Sequence, residues 1–338
     1  MSAKMIPTEP HRFQILALSG GGFRGLYTAK VLSDIEVEIG APIATRFDLI
    51  AGTSVGGILA LALALEIPAS RIVELFVRYG AEIFKRRVSL FGMWRAAYSS
   101  EPLRQQLARE DLFGQLVLGD CRNAVIVPTI NYSTGKPAIF KTPHHRDFKR
   151  DYQNSLVDVA LATSAAPTYF RRHTFNNSQY VDGGLFANAP GLLAVHEAQI
   201  FFGQDLAAIH LLSVGSMSSK FTVDPRASRA GGTLDWGGPN PANTPKRLFG
   251  LSISVQEALS NFMLGHQLRE RYLHVDDDLT DQRARAVALD KADASAQEVL
   301  LGAASERSKF CIGDALFQRF MTHQPSPPVF YYGTHAKR

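Results

Sequence analysis

The sequence predicts an α/β sandwich built on a largely parallel central sheet. Two short apolar segments, Phe13–Leu18 and Phe47–Ala51, are typical of buried strands, and each is followed by a glycine-rich turn and a helical pattern. A third strongly apolar segment, Ala207–Val214, comes later in the chain. Strands that alternate with helices favour parallel pairing, because the crossover helix returns the chain to the starting edge of the sheet.

The first elements follow one another closely. The strand Phe13–Leu18 leads through a glycine loop into an amphipathic helix, about Leu26 to Ile39. The second strand leads through a tight turn into the apolar helix Ile58–Leu65. Pro68 then opens a helix that runs to about Phe84, since proline suits the first turn of a helix.

The rest of the chain contains further helices and a hairpin. Helices are predicted near residues 102–109, 156–162, 192–200, 246–272, 294–304 and 305–320, and strands at 124–131, 137–141 and 179–181. Residues 216–245 are rich in Gly, Pro, Ser, Asn and Thr, which indicates a long loop. We expect a single domain over residues 1–338, with its core motifs at 13–214 and a C-terminal helical extension at 246–338.

Composition and charge restrict the class of protein. The chain has 338 residues, of which 46% are hydrophobic and 20% charged, as is typical of a globular protein with a large core. It shows no signal-peptide pattern and no bilayer-spanning run, and its two cysteines, Cys121 and Cys311, lack metal-site spacing. We therefore expect a cytoplasmic protein without a metal or cofactor. The net charge of +5 favours approach to anionic membranes or nucleotides.

The segment Gly52-Thr53-Ser54-Val55-Gly56 matches the Gly-x-Ser-x-Gly pattern of a nucleophilic serine. A serine on a sharp turn between a strand and a helix has an exposed hydroxyl, and the next backbone N–H points toward the same space. Glycine is needed at Gly52 and Gly56 because a Cβ there would collide with the neighbouring strand or helix. The helix N-terminus also favours the negative charge that develops during acyl transfer.

The loop Gly20-Gly21-Gly22-Phe23-Arg24-Gly25 allows two interpretations. Its glycines can let several backbone N–H groups converge on one oxygen, as an oxyanion hole requires. The same residues satisfy Gly-x-Gly-x-x-Gly, so a nucleotide-phosphate loop is the alternative. Dinucleotide binding is disfavoured because Arg24 interrupts the loop and no acidic residue is well placed to end a second strand about twenty residues later.

A base for Ser54 is not evident among the histidines that follow it. The isolated ones are His196, His210, His266 and His274. None lies in a glycine-flanked loop, so surface or structural roles are favoured. Asp182 is the distinctive acid, because it ends a short strand and precedes two glycines, Gly183 and Gly184, that permit a close approach to another backbone.

Four motifs in this order resemble those of the patatin-like phospholipase family. They are Gly-Gly-Gly-x-Arg-Gly at 20–25, Gly-Thr-Ser-x-Gly-Gly at 52–57, Thr-Ser-Ala-Ala-Pro-Thr-Tyr-Phe at 163–170 and Asp-Gly-Gly at 182–184. The resemblance covers about Phe13 to Val214 and implies a three-layer patatin-like sandwich with C-terminal helical additions. It also implies a Ser–Asp dyad without histidine, in which Ser54 is the nucleophile and Asp182 the general base.

The resemblance assigns the oxyanion hole as well. Its backbone donors would be Gly20, Gly21, Gly22 and Arg24. The other motif glycines would support the catalytic loops: Gly25, Gly52, Gly56, Gly183 and Gly184. The chain has Asn188-Ala189-Pro190 where relatives often have Asn-Asn-Pro, and this difference should not affect the dyad.

The implied activity is a lipid acyl hydrolase that cleaves phospholipid acyl esters through an acyl-enzyme, peripherally at the inner face of the membrane. The chain is also similar to bacterial patatin effectors of CBASS anti-phage systems, which cyclic dinucleotides activate. A cyclic dinucleotide activator and self-association are therefore expected, and binding of a nucleic-acid polymer is not. Two alternatives stay open: a soluble esterase or thioesterase without nucleotide control, and a non-catalytic nucleotide-binding module that uses the loop Gly20–Gly25.

Three further segments carry weaker signals. The motifs do not locate an activator site, for which residues 141–150, 171–173 and 216–245 are candidates. The stretch Phe84–Tyr98 mixes basic and aromatic side chains, which suits a membrane interface or, equally, core packing. The basic run Lys141–Arg150 is expected to be a solvated face.

Overall fold

The structure is a computed structural model that describes residues 12–87, 96–217, 231–232, 235–236, 244–279 and 286–337. Its strands are β1 (Phe13–Leu18), β2 (Leu49–Gly52), β3 (Ala124–Asn131), β4 (Lys136–Lys141), β5 (His173–Phe175), β6 (Ser178–Asp182), β7 (Ile209–Val214) and β8 (Tyr272–Val275). Within the described residues they form an eight-stranded sheet in the order β5-β6-β3-β2-β1-β7-β8, with β4 paired to β3.

The centre of the sheet is parallel and one side is antiparallel. β3, β2, β1, β7 and β8 are successive parallel neighbours, whereas β4 and β6 each pair antiparallel with β3. The expected parallel sheet and the expected hairpin are therefore confirmed. Because parallel strands end at a common edge, Leu18 at the end of β1 lies between Gly52 at the end of β2 and Val214 at the end of β7.

Helices cover both faces of the sheet. They are α1 (Gly25–Ile39), α2 (Val55–Ala64), α3 (Ala69–Ile83), α4 (Glu101–Leu107), α5 (Leu156–Thr163), α6 (Gly184–Ala187), α7 (Gly191–Phe201), α8 (Thr244–Leu268), α9 (Ala294–Gly313) and α10 (Ala315–Met321). Leu16 and Leu18 pack with the cluster of α1, α2, α3, α5 and α9, while Ile15 and Ala17 pack with that of α7 and α8. This alternation along β1 gives the expected three-layer sandwich.

The C-terminal part differs from the expected purely helical extension. The long helix was predicted to run to Tyr272, but it ends at Leu268, and residues 272–275, of which 273–275 had no predicted element, form β8 beside β7. The last helices also divide at Asp314 rather than near residue 304, because the Asp314 side chain accepts a hydrogen bond from the N–H of Phe317 and caps α10. The four residues of β8 are too few to interrupt a helical pattern visibly. The single-domain assignment over residues 1–338 stays a prediction.

Two glycines allow α2 to lie directly against the sheet. A Cβ on Gly52 would lie 2.1 Å from the carbonyl oxygen of Gly56, and one on Gly56 would lie 2.3 Å from the carbonyl oxygen of Leu18. Backbone atoms cannot move away as a flexible side chain can, so neither position can hold a side chain without displacing the helix. The close approach fixes the turn that carries Ser54.

Candidate active site

Ser54 occupies a strained turn between β2 and α2. Its backbone has φ of 55° and ψ of −125°, a conformation that a non-glycine residue adopts only where the surroundings enforce it. The N–H of Ser54 donates to Oγ1 of Thr163 at 3.0 Å, and the Thr163 hydroxyl donates to the carbonyl oxygen of Pro128 at 2.6 Å. This chain of hydrogen bonds ties the turn to β3 and helps to hold the serine in place.

Asp182 ends β6 and contacts Ser54 directly. The Ser54 hydroxyl donates to Oδ2 of Asp182 at 2.7 Å, and the N–H of Gly184 donates to Oδ1 at 2.7 Å. The hydroxyl of Thr53 donates to the carbonyl oxygen of Ala187 at 2.6 Å, which links the serine turn to α6 just after the aspartate. Both carboxylate oxygens are thus oriented, and the nucleophile candidate and its base candidate lie within hydrogen-bonding distance.

Burial raises the pKa of Asp182. The residue is only 2% exposed, and this desolvation raises its pKa to about 7, against the opposing effects of the hydrogen bonds from Gly184 and Ser54. A carboxylate with a pKa near neutrality is a far better proton acceptor for an alcohol than an exposed aspartate. The geometry and the acidity therefore both suit a general base.

The glycine loop after β1 offers fewer free donors than expected. The N–H of Gly20 donates to the carbonyl oxygen of Asn188 at 3.0 Å, and that of Arg24 donates to the carbonyl oxygen of Gly21 at 3.1 Å. Within the part of the chain that the structure describes, the N–H groups of Gly21 and Gly22 have no acceptor, and both residues line the cavity beside Ser54. Of the four predicted donors, the N–H groups of Gly20 and Arg24 are thus already occupied, while those of Gly21 and Gly22 are available. The oxyanion hole itself stays a prediction.

Arg24 supports this loop through its side chain. It is 5% exposed, and its guanidinium donates to the carbonyl oxygens of Met217, at 3.1 Å, and Gly21, at 3.4 Å. The hydroxyl of Ser216 donates to the carbonyl oxygen of Gly20 at 2.9 Å. Ser216 and Met217, which follow β7, therefore help to hold the loop in place through the Gly20 carbonyl group and the Arg24 side chain.

The dyad opens into a large apolar cavity. The empty space, including the part that opens to solvent, is about 810 Å³ and is lined by Ser54, Asp182 and many apolar side chains. Among the latter are Ile58, Ile72, Phe76, Leu107, Phe170 and Ile253. No histidine is among the described residues that line it. A long hydrocarbon chain fits such a cavity, and a charged nucleotide does not.

Known proteins with related sequences were compared with this chain. The model of a family described as patatin-like phospholipase matches residues 16–195, which is more than half of the chain. The chain belongs to the patatin-like phospholipase family. This confirms the expected fold class and the expected class of enzyme, a serine hydrolase.

Individual relatives are similar over almost the whole chain. A Pseudomonas aeruginosa protein named cGAMP-activated phospholipase is 42% identical over 335 residues, which cover 97% of this chain and 96% of the relative. Proteins with the same name from Escherichia coli and Vibrio cholerae are 35% and 34% identical. They cover 86% and 84% of this chain, and 86% and 87% of their own lengths. The similarity extends well beyond the four motifs.

Sequence reasoning missed several parts of the site. The supporting hydroxyls of Thr53, Thr163 and Ser216 were not identified, although Thr163 opens one of the four motifs. The run Lys141–Arg150 is not wholly solvated: His144 is 4% exposed and lies 3.0 Å from a carboxylate oxygen of Glu197. The centre of the aromatic stretch after Phe84 and most of residues 216–245 lie outside the described residues.

Replacing the buried acid should stabilise the fold. The pKa of Asp182 is higher in the fold than in the unfolded chain, so this residue's contribution to stability falls as pH rises from about 4 to about 7, by up to roughly 4 kcal/mol. Asp182→Asn removes this loss of stability, because asparagine does not ionise, and its side-chain oxygen can still accept the hydrogen bond from the N–H of Gly184. Urea unfolding at pH 5 and pH 8 should show a larger gain in the free energy of unfolding at pH 8, whereas Glu306→Gln, an exposed control, should show none. An equal gain at both pH values would contradict the assigned acidity.

Proposed function

We propose that this protein is a lipid acyl hydrolase that cleaves phospholipid acyl esters with a Ser54–Asp182 dyad. The observation that carries the proposal is the 2.7 Å hydrogen bond between the serine hydroxyl and a buried carboxylate at the wall of an apolar cavity. The first step transfers an acyl group. Oγ of Ser54 attacks the ester carbonyl carbon while Oδ2 of Asp182 accepts the hydroxyl proton.

The developing oxyanion lies near the glycine loop. The N–H groups of Gly21 and Gly22 donate to it, joined by the N–H of Val55, which follows the nucleophile at the start of α2. The dipole of α2 adds a favourable field. When the tetrahedral intermediate collapses, the ester C–O bond breaks and Asp182 returns its proton to the departing lysophospholipid oxygen.

The second step repeats this chemistry with water. Asp182 accepts a proton from a water molecule as its oxygen attacks the acyl-enzyme carbonyl carbon. Collapse of the second intermediate breaks the bond to Ser54, and the proton on Asp182 returns to the serine oxygen. The products are a fatty acid and the free enzyme, so the dyad alone balances both half-reactions.

Two observations favour a phospholipid as substrate. The cavity is lined almost entirely by apolar side chains, which suit an acyl chain, and three relatives at 34–42% identity carry the name phospholipase. We place the reaction at the inner face of the membrane in the cytoplasm. Within the described residues, no helix is long and apolar enough to span a bilayer.

The same relatives suggest control by a nucleotide. Each is named as activated by cGAMP, and the matches cover 84–97% of this chain, including the region beyond the four motifs. We propose that a cyclic dinucleotide of this type activates the protein and that activation accompanies self-association. The protein would then act as an anti-phage effector that degrades the membrane of its own cell. Because coupling between two binding sites is reciprocal, the state of the protein that binds substrate must then bind the activator more tightly than the other state does.

Loss of either dyad member should abolish hydrolysis while the protein stays folded. Ser54→Ala and Asp182→Asn should each lower turnover of a fluorogenic phospholipid by roughly 10⁴-fold. Ser178→Ala, on the same strand as the aspartate, should retain full activity. A serine-directed fluorophosphonate should label wild type and not Ser54→Ala. Full turnover by either dyad variant would contradict the mechanism, and absence of labelling would favour the nucleotide-binding module.

The activator should raise the rate on membranes. With phospholipid vesicles, cyclic GMP–AMP should increase hydrolysis by roughly 5- to 150-fold, the usual range of coupling between two sites. Linear dinucleotides serve as the control and should have no effect. Equal rates with and without every cyclic dinucleotide tested, together with turnover of soluble esters, would instead favour an esterase without nucleotide control.

A further inference from the structure

The helix α8 carries a row of exposed apolar side chains. These are Leu248, Val255, Leu259, Phe262 and Met263, with exposed fractions of 46%, 57%, 55%, 65% and 36%. At 100° per residue they fall within an arc of about 100° on the helix, so they form one continuous face. We call this face the α8 stripe. Water-exposed side chains of this size are costly unless a partner covers them.

The opposite face of α8 belongs to the protein interior. Phe249, Ile253 and Leu264 are buried there, at 6%, 6% and 1% exposure. Phe249 and Ile253 also line the acyl cavity beside Ser54. The helix therefore forms a wall of the cavity with one face and presents the α8 stripe outward with the other. A surface that covers the stripe would lie one helix diameter from the space that receives the acyl chain.

The exposed charge within α8 has one sign. Glu257 is the only acidic residue between Thr244 and Leu268, and it is 4% exposed on the inner face. Exposed Arg247 stands near the start of α8, and beyond its end exposed Arg269 is followed by exposed Glu270. Three further exposed cations, residues 85–87, follow Phe84, which lines the cavity. This arrangement complements an anionic surface.

We propose that the α8 stripe is the surface with which the protein docks on an anionic phospholipid bilayer. The inference rests on the proposed lipid hydrolase function, since the substrate then resides in the covering surface. The apolar side chains enter the acyl region of one leaflet, and the arginines contact headgroup phosphates. Trp236, 43% exposed, lies near the start of α8, where its carbonyl oxygen accepts a hydrogen bond from Arg247. Tryptophan favours the headgroup region.

A second copy of the chain is the other occupant to consider. A stable protein interface uses roughly 20–30 residues a side, whereas the stripe has five apolar residues on a single helix. Two such stripes brought together would also bring together the exposed Arg247 of each copy, and α8 carries no exposed acid to pair with it. A bilayer that contains anionic lipid has neither disadvantage.

Vesicle co-sedimentation of catalytically inactive protein tests the docking surface directly. Ser54→Ala protein with cyclic GMP–AMP is mixed with phosphatidylethanolamine–phosphatidylglycerol vesicles, with and without Leu259→Ser and Phe262→Ser. We expect the double substitution to reduce partitioning roughly ten-fold or more. Phe310→Ser is the matched control, because Phe310 is 68% exposed on α9, and it should bind as the parent does. High salt and neutral phosphatidylcholine should weaken binding of the parent.

A second readout separates docking from catalysis. With Ser54 intact, the double variant should still hydrolyse a short soluble ester but lose hydrolysis of vesicles. If wild type hydrolyses neither substrate, the proposed function fails while the sedimentation result still decides the docking surface. The inference is overturned if the double variant binds vesicles as the parent does, or if Phe310→Ser loses as much binding. It is also overturned if the double substitution turns a dimer into a monomer without changing vesicle binding.

Discussion

The hydrogen bond between Ser54 and Asp182 depends on the whole arrangement of the sheet. The two residues are 128 positions apart in sequence, and each stands at the end of a different strand. β3 brings them together, because it pairs in parallel with β2 on one side and antiparallel with β6 on the other. The hydroxyl of Thr163, together with Gly52 and Gly56, then holds the serine turn where its hydroxyl reaches the carboxylate.

This arrangement makes the site reactive, and it lowers the stability of the folded protein. A carboxylate that is 2% exposed has lost most of its hydration, and within the described residues two hydrogen bonds compensate for that loss. The same desolvation gives the carboxyl a pKa near neutrality, which a general base requires. The protein tolerates the unfavourable burial because a large apolar core surrounds the site, including all ten residues of α2.

The sequence allowed much of this site to be predicted, for identifiable reasons. The strand Phe13–Leu18 was predicted with its observed bounds because a fully buried strand is a continuous apolar run between turn residues. Ser54 and Asp182 stood out because glycines beside them mark close backbone approaches. The occupied N–H groups of Gly20 and Arg24 could not be predicted, since their acceptors depend on where α1 begins and where the chain returns at Asn188. The strand β8 was hidden because four residues after a 25-residue helix do not establish a period of their own.

The central claim is that Asp182 is the general base, and the pH dependence of turnover tests it most directly. Because burial raises the pKa of Asp182 to about 7, the carboxylate form, which accepts the serine proton, increases as pH rises through neutrality. We predict that kcat/KM for a soluble ester rises through an apparent pKa near 7 and then levels off. A profile that is flat between pH 5 and 9, or one that falls as pH rises, would contradict the account.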